Sequence, residues 1–226
     1  MPTLMAARRP SWPHAACRAA AVAVVVWCGR GVSTARASPP AEPTATRWTV
    51  AEADSARIVA HEVSTAAPHR GATCERLVVD AAGGTTTRLQ TPIGPAAVID
   101  EFTAAVWIRA NRPDVRLAAR VVLPTFVSRK TGRPVELLVP GGTSRDVDRW
   151  ERLQLDGLPA ALARSLPALH LEHGPQGSAA GAVVTHLVLD LAALPGRREI
   201  AIDDVAVAGL VPAALPRPVH DPLVRP

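Results

Sequence analysis

Short apolar runs bounded by turn residues recur along this chain, and Val, Ile and Thr are common within them. This pattern is typical of an all-β protein. Residues 102–110 alternate between an apolar face and a second face that carries Trp107 and Arg109. Residues 115–123 alternate in the same way. Because residues 111–114 have the composition of a turn, the two segments are predicted to form a hairpin.

The remaining apolar runs predict a sandwich of two antiparallel sheets. Further strands are predicted at residues 48–51, 57–61, 75–80, 85–90, 150–155, 168–172, 183–191 and 199–207. One helix is predicted at 159–166, with proline in its first turn and Pro167 ending it. Gly83-Gly84 and Gly141-Gly142 are expected in turns. About ten strands with one short helical insertion predict an all-β, two-sheet antiparallel jelly-roll sandwich.

Residues 1–37 have the features of an export signal peptide. Five arginines precede Glu42, the first acidic residue, so the net charge of +5 lies in this segment and the rest carries 20 basic and 20 acidic residues. An apolar run at 19–28 is too short to span a bilayer, which needs roughly 20 residues. Ala35-Arg36-Ala37 predicts cleavage after Ala37. We therefore expect an exported protein, periplasmic or extracellular, without stable membrane insertion after cleavage.

Two alternatives for this leader remain open. Arg8-Arg9 is compatible with a twin-arginine route, and Cys28 with a lipid anchor. Each rests on one short feature, and bulky Trp27 precedes Cys28 where lipoprotein signals usually place a small residue.

Proline-rich segments mark the limits of the predicted domain. Residues 38–46 form a spacer and residues 212–226 a flexible tail that has the composition of a linker, which leaves a folded unit at 47–211. After cleavage Cys74 would be the only cysteine, so no disulfide within the chain is expected. Cys74 begins an apolar stretch and is predicted to be a buried, inert thiol.

The charge distribution argues against nucleic-acid binding. Basic residues are scattered among acidic ones after the leader, and no stripe of one sign could neutralise a run of phosphates. We expect no nucleic-acid partner.

Four segments together resemble one domain family. They are Glu75-Arg-Leu-Val-Val, the run from Phe102 to Pro113, Arg149-Trp-Glu-Arg-Leu-Gln-Leu, and Ile202-Asp-Asp-Val-Ala-Val. In this order they resemble galactose-binding-like jelly-roll domains of the carbohydrate-binding-module type, which are found in large secreted bacterial glycosidase-like proteins. The resemblance implies the sandwich fold, a carbohydrate partner and a catalytic domain that is missing from this chain.

Sugar-binding surfaces combine an aromatic face with polar side chains that bind hydroxyl groups. Trp107 and Arg109 on one strand, with Arg116 and Arg120 on the neighbouring strand, are candidates for such a surface. Trp150 alternates with polar residues and is a further candidate. In the alternative interpretation Trp107 fills a second layer of core and Trp150 plugs a sheet edge under a loop.

The resemblance also implies a structural calcium ion between the last strand and an early one. Asp203 is the predicted ligand, and Glu52, Asp54 or Glu62 could supply further oxygens. On a regular strand Asp203 and Asp204 point to opposite faces, unless a bulge intervenes. In the alternative interpretation both are ordinary surface carboxylates.

No spacing in the chain selects a catalytic group. The His170-Leu-Glu-His173 cluster falls on a predicted strand, where its side chains would diverge. The sequence therefore predicts a protein that is not an enzyme. Two hypotheses remain: an exported module that binds a glycan or envelope polysaccharide, and a structural or protein-interaction sandwich of the cell envelope.

Overall fold

Two five-stranded antiparallel sheets form the computed structural model of this chain within the residues it describes. The strands are β1 (Thr49–Ala53), β2 (Ala56–Ser64), β3 (Cys74–Ala81), β4 (Thr87–Ala97), β5 (Thr103–Ala110), β6 (Val115–Val127), β7 (Pro134–Thr143), β8 (Glu151–Leu155), β9 (Val183–Leu191) and β10 (Gly196–Ala208), and the helix is α1 (Leu158–His173). The first sheet has the order β1-β4-β9-β6-β7 and the second β2-β3-β10-β5-β8. The predicted two-sheet sandwich with one helix is confirmed.

The structure describes residues 46–53, 56–82, 84, 86–191 and 195–215. The predicted signal peptide at 1–37, and all but the ends of the predicted spacer and tail, lie outside these ranges. Among the described residues, no helix is long and apolar enough to cross a membrane.

The core lies between the two sheets and takes every second residue of the central strands. Phe102, which directly precedes β5, and Ile108, on β5, face Leu117 and Leu123 of β6 and Leu189 of β9. Each of these side chains is at most 1% exposed. Burial of each such side chain contributes about 1.5–3 kcal/mol. The alternation predicted for β5 and β6 is confirmed, and it directs the remaining, alternate side chains of each strand outward.

The predicted hairpin between β5 and β6 is wrong. β5 pairs with β10 and β8, whereas β6 pairs with β7 and β9, so residues 111–114 connect the two sheets. The Asn111 amide donates to the Glu199 carbonyl oxygen, and the Asn111 side-chain oxygen accepts from the Glu199 N–H. The turn is thus bonded to β10, and the apolar faces of β5 and β6 meet across the core.

The helix is twice as long as predicted and includes Pro167. Leu158, Leu162 and Leu169 lie four and seven residues apart and are buried on one face. Pro167 is exposed on the other side. The apolar stripe offsets the cost of a proline inside a helix, and the strand predicted at 168–172 is therefore wrong.

His170 and His173 consequently lie on a helix rather than a strand. Both rings pack near Phe126, at centroid distances of 5.5 and 6.5 Å. The His170 Nε2 atom is 2.8 Å from the Gly177 carbonyl oxygen. These contacts indicate that the two histidines hold the end of α1 against the sandwich.

Strand β7 was missed, and its glycines are not in a turn. Gly141 and Gly142 lie near the end of β7, where it passes close to β8. A Cβ on Gly141 would lie 2.8 Å from the Gln154 carbonyl oxygen. The close approach of two strand backbones, rather than a turn, explains this glycine pair.

Cys74 is 5% exposed, which confirms its predicted burial. Burial raises the pKa of its thiol, and nearby Asp203 adds to the effect. The thiolate is therefore disfavoured, as expected for an unreactive cysteine.

Replacing Gly209 with alanine should destabilise the protein more than the same change at Gly132. Both glycines have positive φ, 68° and 64°, so each alanine costs about 1–2 kcal/mol of backbone strain. Only at Gly209 would the new Cβ overlap a backbone carbonyl, that of Glu101, and forced displacement adds about 1–3 kcal/mol. Urea unfolding of both variants measures the difference, and equal losses would contradict the expected clash.

Candidate functional site

The outer face of the second sheet carries Trp107 under a loop. Trp107 on β5 pairs in register with Asp203 of β10 and Arg152 of β8. The loop between β2 and β3, residues 65–73, places the His69 ring parallel to the indole, with centroids 3.9 Å apart and planes inclined by 18°. Trp107 is half-buried. One face of the predicted sugar platform is therefore already covered by a side chain of the protein.

Asp203 and Asp204 hold this loop in place. The Asp203 Oδ2 atom accepts hydrogen bonds from the His69 and Arg70 amides, at 2.8 and 3.1 Å. The Asp204 Oδ2 atom is 2.7 Å from His69 Nδ1. A register shift follows Asp203, and Asp204 has a φ of 44°. Both carboxylates reach the same loop because the strand contains a bulge, the possibility that the sequence analysis left open.

Trp150 lies near the same cluster. The Arg109 guanidinium carbon is 5.3 Å from the centroid of the Trp150 ring, and the His69 and Trp150 ring centroids are 5.6 Å apart in an edge-on arrangement. Arg109 also donates a long hydrogen bond, 3.4 Å, to the Ala66 carbonyl oxygen. The structure thus brings three of the predicted ligand residues together, Trp107, Arg109 and Trp150, and packs them against the loop.

Arg120, the fourth predicted ligand residue, lies on the other sheet. It is on β6, pairs in register with His186 of β9 and forms an ion pair with Glu136 of β7 at 3.1 Å. Arg116 occupies the same outer face. The expectation that these arginines neighbour Trp107 is wrong, because it followed from the incorrect hairpin.

The outer face of the first sheet is lined with charged and amide side chains. Arg88 on β4 is ion-paired with Glu52 of β1 and lies 3.5 Å from Asp190 of β9. Arg88, Glu52, Arg120 and Glu136 surround a cleft of about 370 Å³, which Leu137 and Leu138 also line. Each of its two arginines is balanced by at least one carboxylate.

Two buried polar atoms on this face, Gln90 Oε1 and Arg120 Nε, have neither a hydrogen bond nor an ion pair among the described residues. A third, Arg88 Nε, makes no hydrogen bond but lies 3.5 Å from Asp190 Oδ1. A buried polar atom without a partner costs about 1–3 kcal/mol. Their concentration on one face therefore indicates a surface suited to a hydrogen-bonding ligand.

His186 lies in the middle of this face. Burial lowers the pKa of its ring below the ordinary value of 6.5, and the neighbouring Arg120 lowers it further. Its Nδ1 atom is 3.0 Å from the Thr185 hydroxyl. The neutral form of the ring is therefore favoured in the folded protein.

The predicted calcium ligand makes other contacts in the structure. The Asp203 oxygens accept from three backbone amides, the third being that of Asp204. Glu52 pairs with Arg88 and Glu62 with Arg76, while Asp54 lies outside the described residues. Within the described ranges, no group of three or more His, Cys, Asp or Glu is arranged to hold a metal ion. Calcium binding at Asp203 stays a prediction.

Sequence reasoning missed His69, Arg88, Gln90 and Asp190. His69 lies in a loop without periodicity, and no local signal places its ring on Trp107. The other three are polar positions in β4 and β9, where alternation alone shows that they face outward. Only the strand order, which the sequence did not reveal, brings them to Arg120.

Comparison with known proteins gives similarity to solved structures alone. No family model and no curated protein matches the chain. One similar structure, of carbohydrate-binding modules from the β-sandwich superfamily, has a TM-score of 0.43 and 14% identity over 71% of this chain. The chain spans 56% of that protein's length.

Two further structures have TM-scores and identities in a similar range. The family 11 carbohydrate-binding module of a Clostridium thermocellum cellulosomal cellulase has a TM-score of 0.44 and 6% identity, over 75% of this chain and 91% of its own. The enzymatically active domain of a tailspike protein of bacteriophage CBA120 has a TM-score of 0.37 and 13% identity, over 74% and 20%. The proposals below rest on the residues of this chain.

Replacing Asp203 with alanine should release the loop at residues 65–73. The change removes the acceptor of three amides, which should cost about 1–3 kcal/mol for each amide left buried without a partner. Trypsin should then cleave faster after Arg70, whose side chain is 77% exposed. Asp146→Ala, in an exposed loop, is the control. Unchanged cleavage at Arg70 in the Asp203 variant would contradict this role.

Stability should decrease on acidification through His186. Because its folded-state pKa lies below 6.5, the unfolded chain takes up the proton first. The contribution of the neutral ring is therefore complete above pH 6.5 and is lost as the pH falls through the lower, folded-state pKa. Urea unfolding across this range should show a smaller acid loss for His186→Gln than for the wild type. Parallel pH profiles would contradict the assignment.

Proposed function

We propose that this protein is an exported, non-catalytic module that binds a glycan on the outer face of its first sheet. The observation that carries the proposal is the pair of unpartnered buried polar atoms, Gln90 Oε1 and Arg120 Nε, beside a cleft of about 370 Å³. The similar structures include carbohydrate-binding modules, and the predicted leader at 1–37 supports export.

The cleft offers hydrogen-bonding groups of both kinds. The guanidinium groups of Arg88 and Arg120 can donate to sugar oxygens, and the carboxylates of Glu52 and Glu136 can accept from hydroxyl groups. Gln90 does not line the cleft but follows Arg88 by two residues on the same face of β4, so it can accept from a hydroxyl of a ligand that extends along the sheet. Because Glu52 and Glu136 balance the arginines, a neutral polysaccharide suits the cleft better than a charged one. The cleft contains no aromatic ring among its lining residues, so hydrogen bonds rather than stacking would hold the ligand.

The same pairing supports a non-catalytic role. Glu52, Asp190 and Glu136 each lie within ion-pair distance of an arginine. Glycoside hydrolysis needs one carboxyl group that donates a proton and a second that acts as base or nucleophile. Carboxylates held in ion pairs serve better as fixed acceptors.

A second candidate function is a structural or protein-interaction domain of the envelope. The covered face of Trp107 favours it, because His69 stacks where a sugar ring would lie. In that case the Trp107 cluster serves only to pack the loop, and no glycan is bound.

A glycan array with the purified protein separates these functions and the two surfaces. We expect binding to neutral polysaccharides that falls at least tenfold, about 1.4 kcal/mol, in Arg120→Gln. Trp107→Phe is the matched test of the second sheet and should leave binding unchanged. Loss with Trp107→Phe alone would place the ligand on the second sheet, and silence from all folded variants would favour the structural function. Each array is run with calcium and with a chelator, which also tests the predicted ion at Asp203.

Replacing Gln90 with leucine should weaken glycan binding and stabilise the protein. The change removes a buried acceptor that has no partner among the described residues, which should raise the free energy of unfolding by about 1 kcal/mol. It also removes a group proposed to contact the ligand. Urea unfolding measures the gain in stability, and the glycan array measures the loss of binding. A stabilised variant with full binding would show that Gln90 serves no ligand.

A further inference from the structure

A second cleft lies on the outer face of the second sheet, opposite the proposed glycan surface. Its volume is about 320 Å³, near the lower limit for small-molecule sites. It is lined by Ala66, Cys74, Arg76, Arg109, Asn111, Asp148, Glu199 and Ala201. The small side chains of Cys74 and Ala201 form a depression between longer neighbours.

One wall of this cleft is internally neutralised. Arg76 donates to Glu199 at 2.7 Å and to Glu62 at 2.9 Å. The hydrogen bond from Arg76 lowers the pKa of Glu199, and Glu199 in turn raises that of Arg76. Both groups therefore stay charged and satisfy one another.

Two opposite charges in the cleft have no such partner. Arg109 and Asp148 form no ion pair with any residue that the structure describes. The guanidinium of Arg109 is held over Trp150 and makes one long hydrogen bond, to Ala66, so most of its donors remain available. Asp148 is fixed by the hydrogen bond from its amide to the Ala110 carbonyl oxygen, 2.8 Å long.

Stacking is a weak basis for binding at this cleft. The His69 ring covers one face of Trp107, and Arg109 lies over Trp150. Neither indole is among the residues that line the cleft. A ligand there would be recognised by charge and hydrogen bonds.

We propose that this cleft binds a small zwitterion, with the ligand's carboxylate at Arg109 and its ammonium group at Asp148. Guanidinium groups bind carboxylates through paired hydrogen bonds, and the free oxygens of Asp148 accept from an ammonium group. A free α-amino acid or the uncapped ends of a short peptide have this chemistry. The site is independent of the proposed glycan surface, which lies on the other sheet.

Calorimetric titration with alanine and alanylalanine tests the proposal. We expect saturable binding in the millimolar range or tighter, worth at least about 4 kcal/mol. N-acetylalanine lacks the ammonium group and alaninamide lacks the carboxylate, so each should bind at least tenfold more weakly than alanine. Absence of saturable binding by both zwitterions, or equal binding of alanine and its two derivatives, would overturn the proposal.

Variants of the same protein give the second part of the test. Arg109→Gln and Asp148→Asn should each weaken alanine binding at least tenfold. Arg152→Gln on β8 and Asp146→Asn in the adjacent loop remove exposed charges outside the cleft and should leave it unchanged. Equal loss in the control pair would show a general charge effect and overturn the assignment. Glycan binding by the Arg109 and Asp148 variants confirms their fold and is expected to persist; if the wild type binds no glycan, their unfolding transitions serve instead.

Discussion

Burial of the two inner sheet faces against each other is the constraint on which the rest of this structure depends. Phe102, Ile108, Leu117 and Leu189 are essentially inaccessible to solvent. They fix which set of alternate side chains on each strand points inward. The arginines that the strands contribute to the candidate sites, Arg88, Arg109 and Arg120, are in the outward positions, whereas Asp148 lies in the loop between β7 and β8. The hydrophobic effect thus selects the chemistry of the outer faces indirectly, because it leaves no other place for those side chains.

Alternation within a strand was readable from the sequence, whereas strand pairing was not. The inward positions of β5 and β6 followed from period-two patterning, and the fold class followed from the number and length of such runs. The turn at residues 111–114 has hairpin chemistry but carries the chain between sheets. Local composition cannot distinguish the two, because the deciding hydrogen bonds link Asn111 to Glu199, 88 residues away.

The candidate sites show the same limit. Trp107 and Arg109 were grouped from the strand they share, whereas Trp150 was a separate candidate that meets them because it precedes β8, the strand beside β5. Arg120 was grouped with them through the incorrect hairpin. His69 was missed because it lies in a loop, and its contact with Asp204 goes with a bulge that nothing in the spacing of Asp203 and Asp204 reveals. The helix was underestimated since Pro167 is a strong stop signal, yet the buried stripe of α1 continues to Leu169.

Because the two sheets pack against each other, their outer faces point in opposite directions, and the whole thickness of the core lies between them. An occupant of one face therefore cannot collide with an occupant of the other, and neither can share a side chain with its counterpart. Under the two proposals, the protein would act as an adaptor that holds a polymer on one side and a different, smaller compound on the other. The two binding free energies should then be additive, because neither ligand competes with the other. Any coupling between them would have to be transmitted through the core.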